Sequence, residues 1–251
     1  MLYFNQPDYN GHRYGASSQK VYEAVIEVDR IIGMIISGLK YANKLNKINL
    51  LVVSDHGMTN LTMPSIDLLD YISKNDTLAI ESWGVIAGVE PKPAKLAKVF
   101  NQLQRASAHL KIYLKEDIPE RYHYKHHKLI KSIVVVADEG YIVVVGKKKI
   151  KQIADHGYDN ELRSMRPIFF ARGPDFKQSY KAEIFPLIDI YPLMCHLMGL
   201  KEAPNNGTLR TVRSMLRSDS SSSSTAFSSI STLLWIIKVV TLQKAIRQFI
   251  S

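Results

Sequence analysis

Apolar residues follow two different spacings near the start of the chain. From residue 18 to 42 they recur at helical intervals, with Val21, Val25, Val28, Ile32, Ile35, Ile36 and Leu39 on one face. Such a stripe predicts an amphipathic helix packed on a core, and Ser17 or Ser18 is placed to cap its start. Residues 1 to 4 read as the end of a buried strand, and Asn5 to Gly15 as a loop rich in turn formers. Beyond the helix, Ile48-Asn-Leu-Leu-Val-Val-Ser54 is apolar without alternation, as in a strand covered on both faces. Strand, helix and strand in this order form a βαβ unit, and its sheet is parallel.

Residues 64 to 150 mix a helix near 93 to 107 with strands near 86 to 89, 110 to 114, 132 to 136 and 141 to 145, which predicts an inserted α+β lobe. Pro167-Ile-Phe-Phe-Ala171 returns to a buried strand, and Ile184 to Leu200 reads as a helix kinked at Pro192. The domain is expected to cover 1–217, followed by a serine-rich linker at 218–225. The last stretch, 226–251, is a hydrophobic tail interrupted by Lys238. It reads as a single-pass anchor with a cytosolic C-terminus or as an interfacial amphipathic helix, against a tail with neither role. At the other end, Met1 opens directly on a strand with no basic leader or cleavage site, so a chain truncated at its start is expected.

Composition narrows the function classes. A length of 251 residues with 46% hydrophobic content suits one globular domain. The net charge is +10, yet the 33 basic and 23 acidic residues are interspersed, with no basic stripe carrying aromatics. That excludes a nucleic-acid polymer as partner. The run Lys147-Lys148-Lys149 with Lys151 reads as a solvated turn. Cys195 is the only cysteine, so no internal disulfide forms. It is either a buried thiol or a half-cystine without its partner. Three sequons, at Asn60, Asn75 and Asn206, point instead to a secreted, glycosylated chain.

Candidate chemistry lies in three short segments: Asp8-Tyr-Asn-Gly-His12, Ser54-Asp55-His56-Gly57-Met58 and Ala154-Asp155-His156-Gly157-Tyr158. Imidazole and carboxylate are the ligands Zn²⁺ accepts besides thiolate, and a chain with one cysteine must use them. A single Asp-His pair is more often a cap or a surface hydrogen bond. Three pairs, each beside a glycine that permits a tight turn, predict a metal site at the carboxyl ends of parallel strands. Two metals there would clamp a phosphoryl group. Asp155 precedes a proposed ligand and is placed to orient its ring. Asp29 reads as a cap on a neighbouring loop or a surface acid, His123, His126 and His127 as surface residues, and Asp159 as an orienting acceptor or a turn residue.

The segments Tyr3-Phe-Asn-Gln-Pro-Asp8-Tyr-Asn-Gly-His12-Arg-Tyr-Gly15, Val53-Ser-Asp55-His56-Gly-Met58 and Asp155-His156-Gly-Tyr-Asp-Asn160 resemble signatures of the ectonucleotide pyrophosphatase/phosphodiesterase family. Leu200 to Thr208 is similar to that family's domain-closing segment. Tyr113 to Pro119 and Val136 to Gly140 resemble its membrane-anchored branch that cleaves diadenosine triphosphate. The resemblance implies an α/β, alkaline-phosphatase-like parallel sheet flanked by helices, incomplete at the N-terminus, with a small α+β insertion. It implies two Zn²⁺ ions, one on Asp8, His12 and His156 and the other on Asp55 and His56. A further aspartate and a nucleophilic threonine are expected from a segment preceding residue 1, and Thr59 is not given that role. The implied reaction is attack by threonine on the α-phosphorus of a nucleotide, followed by hydrolysis of the nucleotidyl-enzyme, at the cell surface or in the secretory pathway. The rival readings are a catalytically inactive zinc-binding remnant and a basic membrane-surface protein.

Overall fold

The computed structural model describes residues 1–62, 64–146, 150–218 and 234–239. In chain order its first half comprises β1 (Leu2–Phe4), α1 (Asp8–Tyr14), α2 (Gln19–Tyr41), β2 (Asn49–Val53), β3 (Thr59–Asn60), β4 (Ile66–Asp67), β5 (Thr77–Ser82) and β6 (Ile86–Pro91). There follow α3 (Leu96–Gln104), β7 (Leu110–Leu114), β8 (Ile133–Ala137), β9 (Val143–Val144), β10 (Ala154–Asp155), β11 (Phe169–Arg172), α4 (Ile190–Met198), α5 (Leu209–Val212) and β12 (Leu234–Val239). The chain forms two compact units, one of residues 1–9, 22–57 and 167–251, the other of 10–21 and 58–166.

The first unit is built on a four-stranded sheet in the order β1-β12-β2-β11. β2 lies at its heart, with Leu50, Leu51 and Val52 wholly buried. Because side chains alternate along a strand, Leu50 and Val52 pack with Val28, Ile32 and Ile36 of α2, while Leu51 and Val53 pack with Ile190, Leu193 and Leu197 of α4. Burying each such aliphatic side chain contributes about 1.5–3 kcal/mol. The absence of alternation in the sequence thus records a strand covered on both sides. Ser18 caps α2 as expected, its Oγ accepting from the Val21 N–H at 3.2 Å.

β1 and β2 run parallel but are not neighbours: β12 lies between them, parallel to both, with Tyr3, Lys238 and Val53 in register. β11 runs antiparallel to β2, so the sheet is parallel in three strands and mixed as a whole. Part of the expected membrane tail is therefore sheet. Its β-branched Ile236, Ile237 and Val239 suit a strand, and parallel partners on both sides satisfy its backbone. Among the described residues no helix is long and apolar enough to cross a membrane. Residues 219–233 and 240–251 lie outside the described residues, with most of the expected linker and tail, as do Lys147 to Lys149.

Two further expectations change. The segment from Asn5 to Gly15 contains a helix, α1, with Asp8 in its first turn, where a carboxylate complements the helix dipole. The helix expected from Ile184 begins only at Ile190, after a 3₁₀ turn at Leu187–Asp189. Pro192 then falls in the first turn, where a missing N–H costs no intrahelical bond, so it does not kink the helix.

The second unit carries an antiparallel sheet in the order β5-β6-β8-β7. Val99 and Leu103 of α3 pack on one face with Val89, Ile133 and Val135. Ile118, Tyr122 and Ile130 cover Val134 and Val136 on the other. Two small pairings, β3 with β10 and β4 with β9, complete the unit.

Candidate metal centre

α1 sets two of the candidate ligands. Asp8 and His12 are four residues apart on this helix, a spacing that stacks their side chains on one face. Each of Asp8, His12 and His156 offers a ligand atom, and the three atoms lie within 4.8 Å of one another. The His12 and His156 ring centroids are 5.0 Å apart, tilted by 52°. From such spacing, small side-chain rotations reach the metal–ligand distances of about 2.0–2.2 Å that zinc requires. Two imidazoles and a carboxylate fit a divalent transition metal in chemistry as well as in spacing.

Backbone groups aim the His12 ring. Its Nδ1 donates to the Ala154 carbonyl at 2.9 Å, which leaves the lone pair on Nε2. In return the Ile153 N–H donates to the His12 carbonyl at 2.8 Å. The pair of bonds ties α1 to the segment that ends in His156. Gly11 permits close approach, because a Cβ there would meet the Met58 sulfur at 2.2 Å.

Asp155 is buried at 6% exposure. Its Oδ1 accepts from the His156 backbone N–H at 2.9 Å and lies 3.7 Å from His12 Nδ1. The structure sets its carboxylate between the His156 backbone N–H and the His12 ring. Gly84 makes room for it: at φ +90° a Cβ would sit 2.6 Å from Asp155 Oδ2. Neither Gly84 nor the Ala154 carbonyl was singled out in the sequence. A glycine between two apolar strands was a usable signal for the first; the second had none, since every residue has a carbonyl.

Asp55 and His56 follow β2 directly. Ser54 pins this turn, its Oγ accepting from the Ile168 N–H at 2.8 Å. His56 Nδ1 donates to the Gly57 carbonyl at 2.8 Å, and its Nε2 faces Asp55 Oδ2 at 3.6 Å. In a tetrahedral zinc site, adjacent ligand atoms are about 3.4 Å apart, so this pair is spaced to share one ion. It stands outside the group formed by Asp8, His12 and His156.

Asp159, His126, Cys195 and Thr59 have other surroundings. Asp159 is gripped by the Arg121 guanidinium and by the Tyr122 hydroxyl at 2.9 Å, and accepts from the Glu161 N–H at 3.1 Å. The bond from Arg121 holds its carboxyl well below the usual range, whereas burial and the bond to Asp159 push Tyr122 up to about 12. His126 meets Glu120 at 3.1 Å on an exposed loop. Cys195 is a buried free thiol in α4. Thr59 pairs in register with Asp155 across β3 and β10.

The chain is similar to known proteins in sequence and in fold. Residues 1–159 match the family described as type I phosphodiesterase / nucleotide pyrophosphatase. Human bis(5'-adenosyl)-triphosphatase ENPP4 is 38% identical over 216 residues, covering 86% of this chain and 47% of that protein. Human ectonucleotide pyrophosphatase/phosphodiesterase family member 5 is 37% identical over 218 residues, covering 87% and 46%. The solved structure of this human member 5 matches with a TM-score of 0.81 at 38% identity, over 86% of this chain and 58% of that one. An inactive variant of murine member 5, in complex with AMP, matches with the same TM-score at 39% identity and the same coverage. The chain spans about half the length of the curated relatives it matches.

Proposed function

Since the chain belongs to the type I phosphodiesterase / nucleotide pyrophosphatase family, we propose that it is the metal-bearing part of a zinc hydrolase acting on phosphodiester or pyrophosphate bonds of nucleotides. The convergence of Asp8, His12 and His156 carries this reading. These three hold one zinc ion, and Asp55 with His56 contributes to a second. Bound zinc supplies Lewis-acid stabilisation of charge developing on phosphoryl oxygens. The residues supply its geometry: the Ala154 carbonyl fixes the His12 tautomer, and Asp155 anchors the backbone that presents His156. The murine relative complexed with AMP supports a nucleotide substrate. The names of the relatives, as ectonucleotide enzymes, support a place in the secretory pathway.

The test is metal analysis beside hydrolysis of a p-nitrophenyl nucleotide ester. Bound zinc, reduced in His156→Ala and Asp55→Ala, is expected of the chain, with turnover once a segment carrying the nucleophilic threonine is joined to it. A wild-type chain without zinc overturns the reading. A second reading, a zinc-binding protein without turnover, is favoured by Asp8, His12 and His156 being the one group of three candidate ligands among the described residues. One equivalent of zinc, lost in His156→Ala but retained in Asp55→Ala, with no product released, identifies it.

A further inference from the structure

We propose that the second unit holds a binding site for an uncharged, planar heteroaromatic molecule of two fused rings, in a cavity of about 260 Å³ between Tyr113, Tyr122, Tyr124 and Asn160. Strand register builds its floor. Ile86 of β6 stands opposite Val136 of β8, and Tyr113 of β7 opposite Val134. Side chains two apart on a strand share a face, so these four tile one face of the sheet, and all four line the cavity. Ile118, 2% exposed, closes the floor from the segment that follows β7.

Hydrogen bonds hold the walls. Arg121 Nη1 donates to Asp159 Oδ1 at 2.8 Å and to Asn160 Oδ1 at 3.2 Å, and the Tyr122 hydroxyl donates to Asp159 Oδ2 at 2.9 Å. These bonds join the 3₁₀ turn at Glu120–Tyr122 to the segment 157–160. The Arg121 guanidinium also covers the Tyr122 ring, 4.4 Å from its centroid. Tyr158, another lining residue, is fixed by its hydroxyl, which donates to the Tyr141 carbonyl at 2.8 Å. Rings fixed beforehand lose little freedom when a ligand arrives. Among the described residues that line the cavity only Asp159 is charged, and Arg121 balances it, so a ligand need bring no charge. Tyrosine faces favour a flat aromatic partner. An apolar cavity of about 150 Å³ admits benzene; the larger space here suits two fused rings. Asn160 sets the polar requirement: Arg121 occupies its Oδ1, which leaves the Nδ2 hydrogens to donate to a ring nitrogen.

Two probes test the site: 7-azaindole, which carries a ring-nitrogen acceptor, and indole, which has the same shape without it. Saturation-transfer NMR titration of the full chain is expected to show saturable binding of 7-azaindole, about threefold or more tighter than that of indole. Tyr124→Ala, checked by circular dichroism for an unchanged fold, should weaken both probes by about threefold or more. Asn160→Leu, at an exposed position, should bring the two probes to equal affinity. Addition of EDTA should leave the binding as it was. Absence of saturable binding overturns the proposal, as do equal affinities of the two probes for the wild type and binding unchanged in Tyr124→Ala. A preference for 7-azaindole that survives in Asn160→Leu overturns it as well. So does binding that disappears with EDTA, because the ring nitrogen then sits on a metal ion.

Discussion

In His12 one backbone carbonyl keeps the two ring nitrogens chemically distinct, and the neighbouring Asp155 carboxylate, 3.7 Å from Nδ1, adds its charge to the same side. Groups placed behind a ligand in this way set its affinity. Asp155→Ala is expected to weaken zinc binding by about 10–100-fold, read by competition with a chelating dye; an unchanged affinity would detach Asp155 from the site. Asp159 governs a different property. Its folded pKa is depressed, so its contribution to stability is present above the unfolded value near 3.8 and is lost as pH falls toward the folded one. Tyr122 acts in the opposite sense: its stabilising contribution is complete below about pH 10 and disappears as pH rises through about 12. Denaturant midpoints of the wild type and Arg121→Gln should therefore converge below about pH 4, and Tyr122→Phe should flatten the alkaline limb. The grouping of Asp8, His12 and His156 was legible because side-chain type announces coordination chemistry. The Ala154 carbonyl was not, because its role depends only on where the backbone passes.

Elements differed in the same way. α2 and β2 were readable because each buries a face: seven periodic apolar positions in one, an unbroken apolar run in the other. α1 was read as a loop because its seven residues, Asp8–Tyr14, complete only two turns and bury a glycine rather than an apolar stripe. β5 escaped notice because it lies at the edge of its sheet, and its burial does not alternate. Leu51, wholly buried in β2 against Leu193, should cost about 2–5 kcal/mol when cut to alanine, measured by denaturant unfolding. A loss under 1 kcal/mol, by order of magnitude, would contradict the packing described. For β12, Ile236→Pro removes a donor from a strand bonded on both sides. The first unit should then lose its cooperative melt, and an unaltered melt would mean that β12 is not part of the sheet in solution.

At the scale of the molecule, α/β class, the inserted lobe and the order of the candidate ligands were all readable, because they follow from the sequence of local patterns. The position of β12 was not, since nothing local to an apolar run says which strands it will join. Residues 234–239 are the last described to leave the ribosome, yet they pair with strands near the beginning, at residues 2–4 and 49–53. During synthesis β1 and β2 have no common neighbour until residues 234–239 have emerged. Such long-range pairing is slow to form, and bare strand edges attract other chains while they wait. Chaperone dependence and inclusion-body formation should accordingly follow the time taken to translate from β2 to β12 rather than the stability of the folded unit.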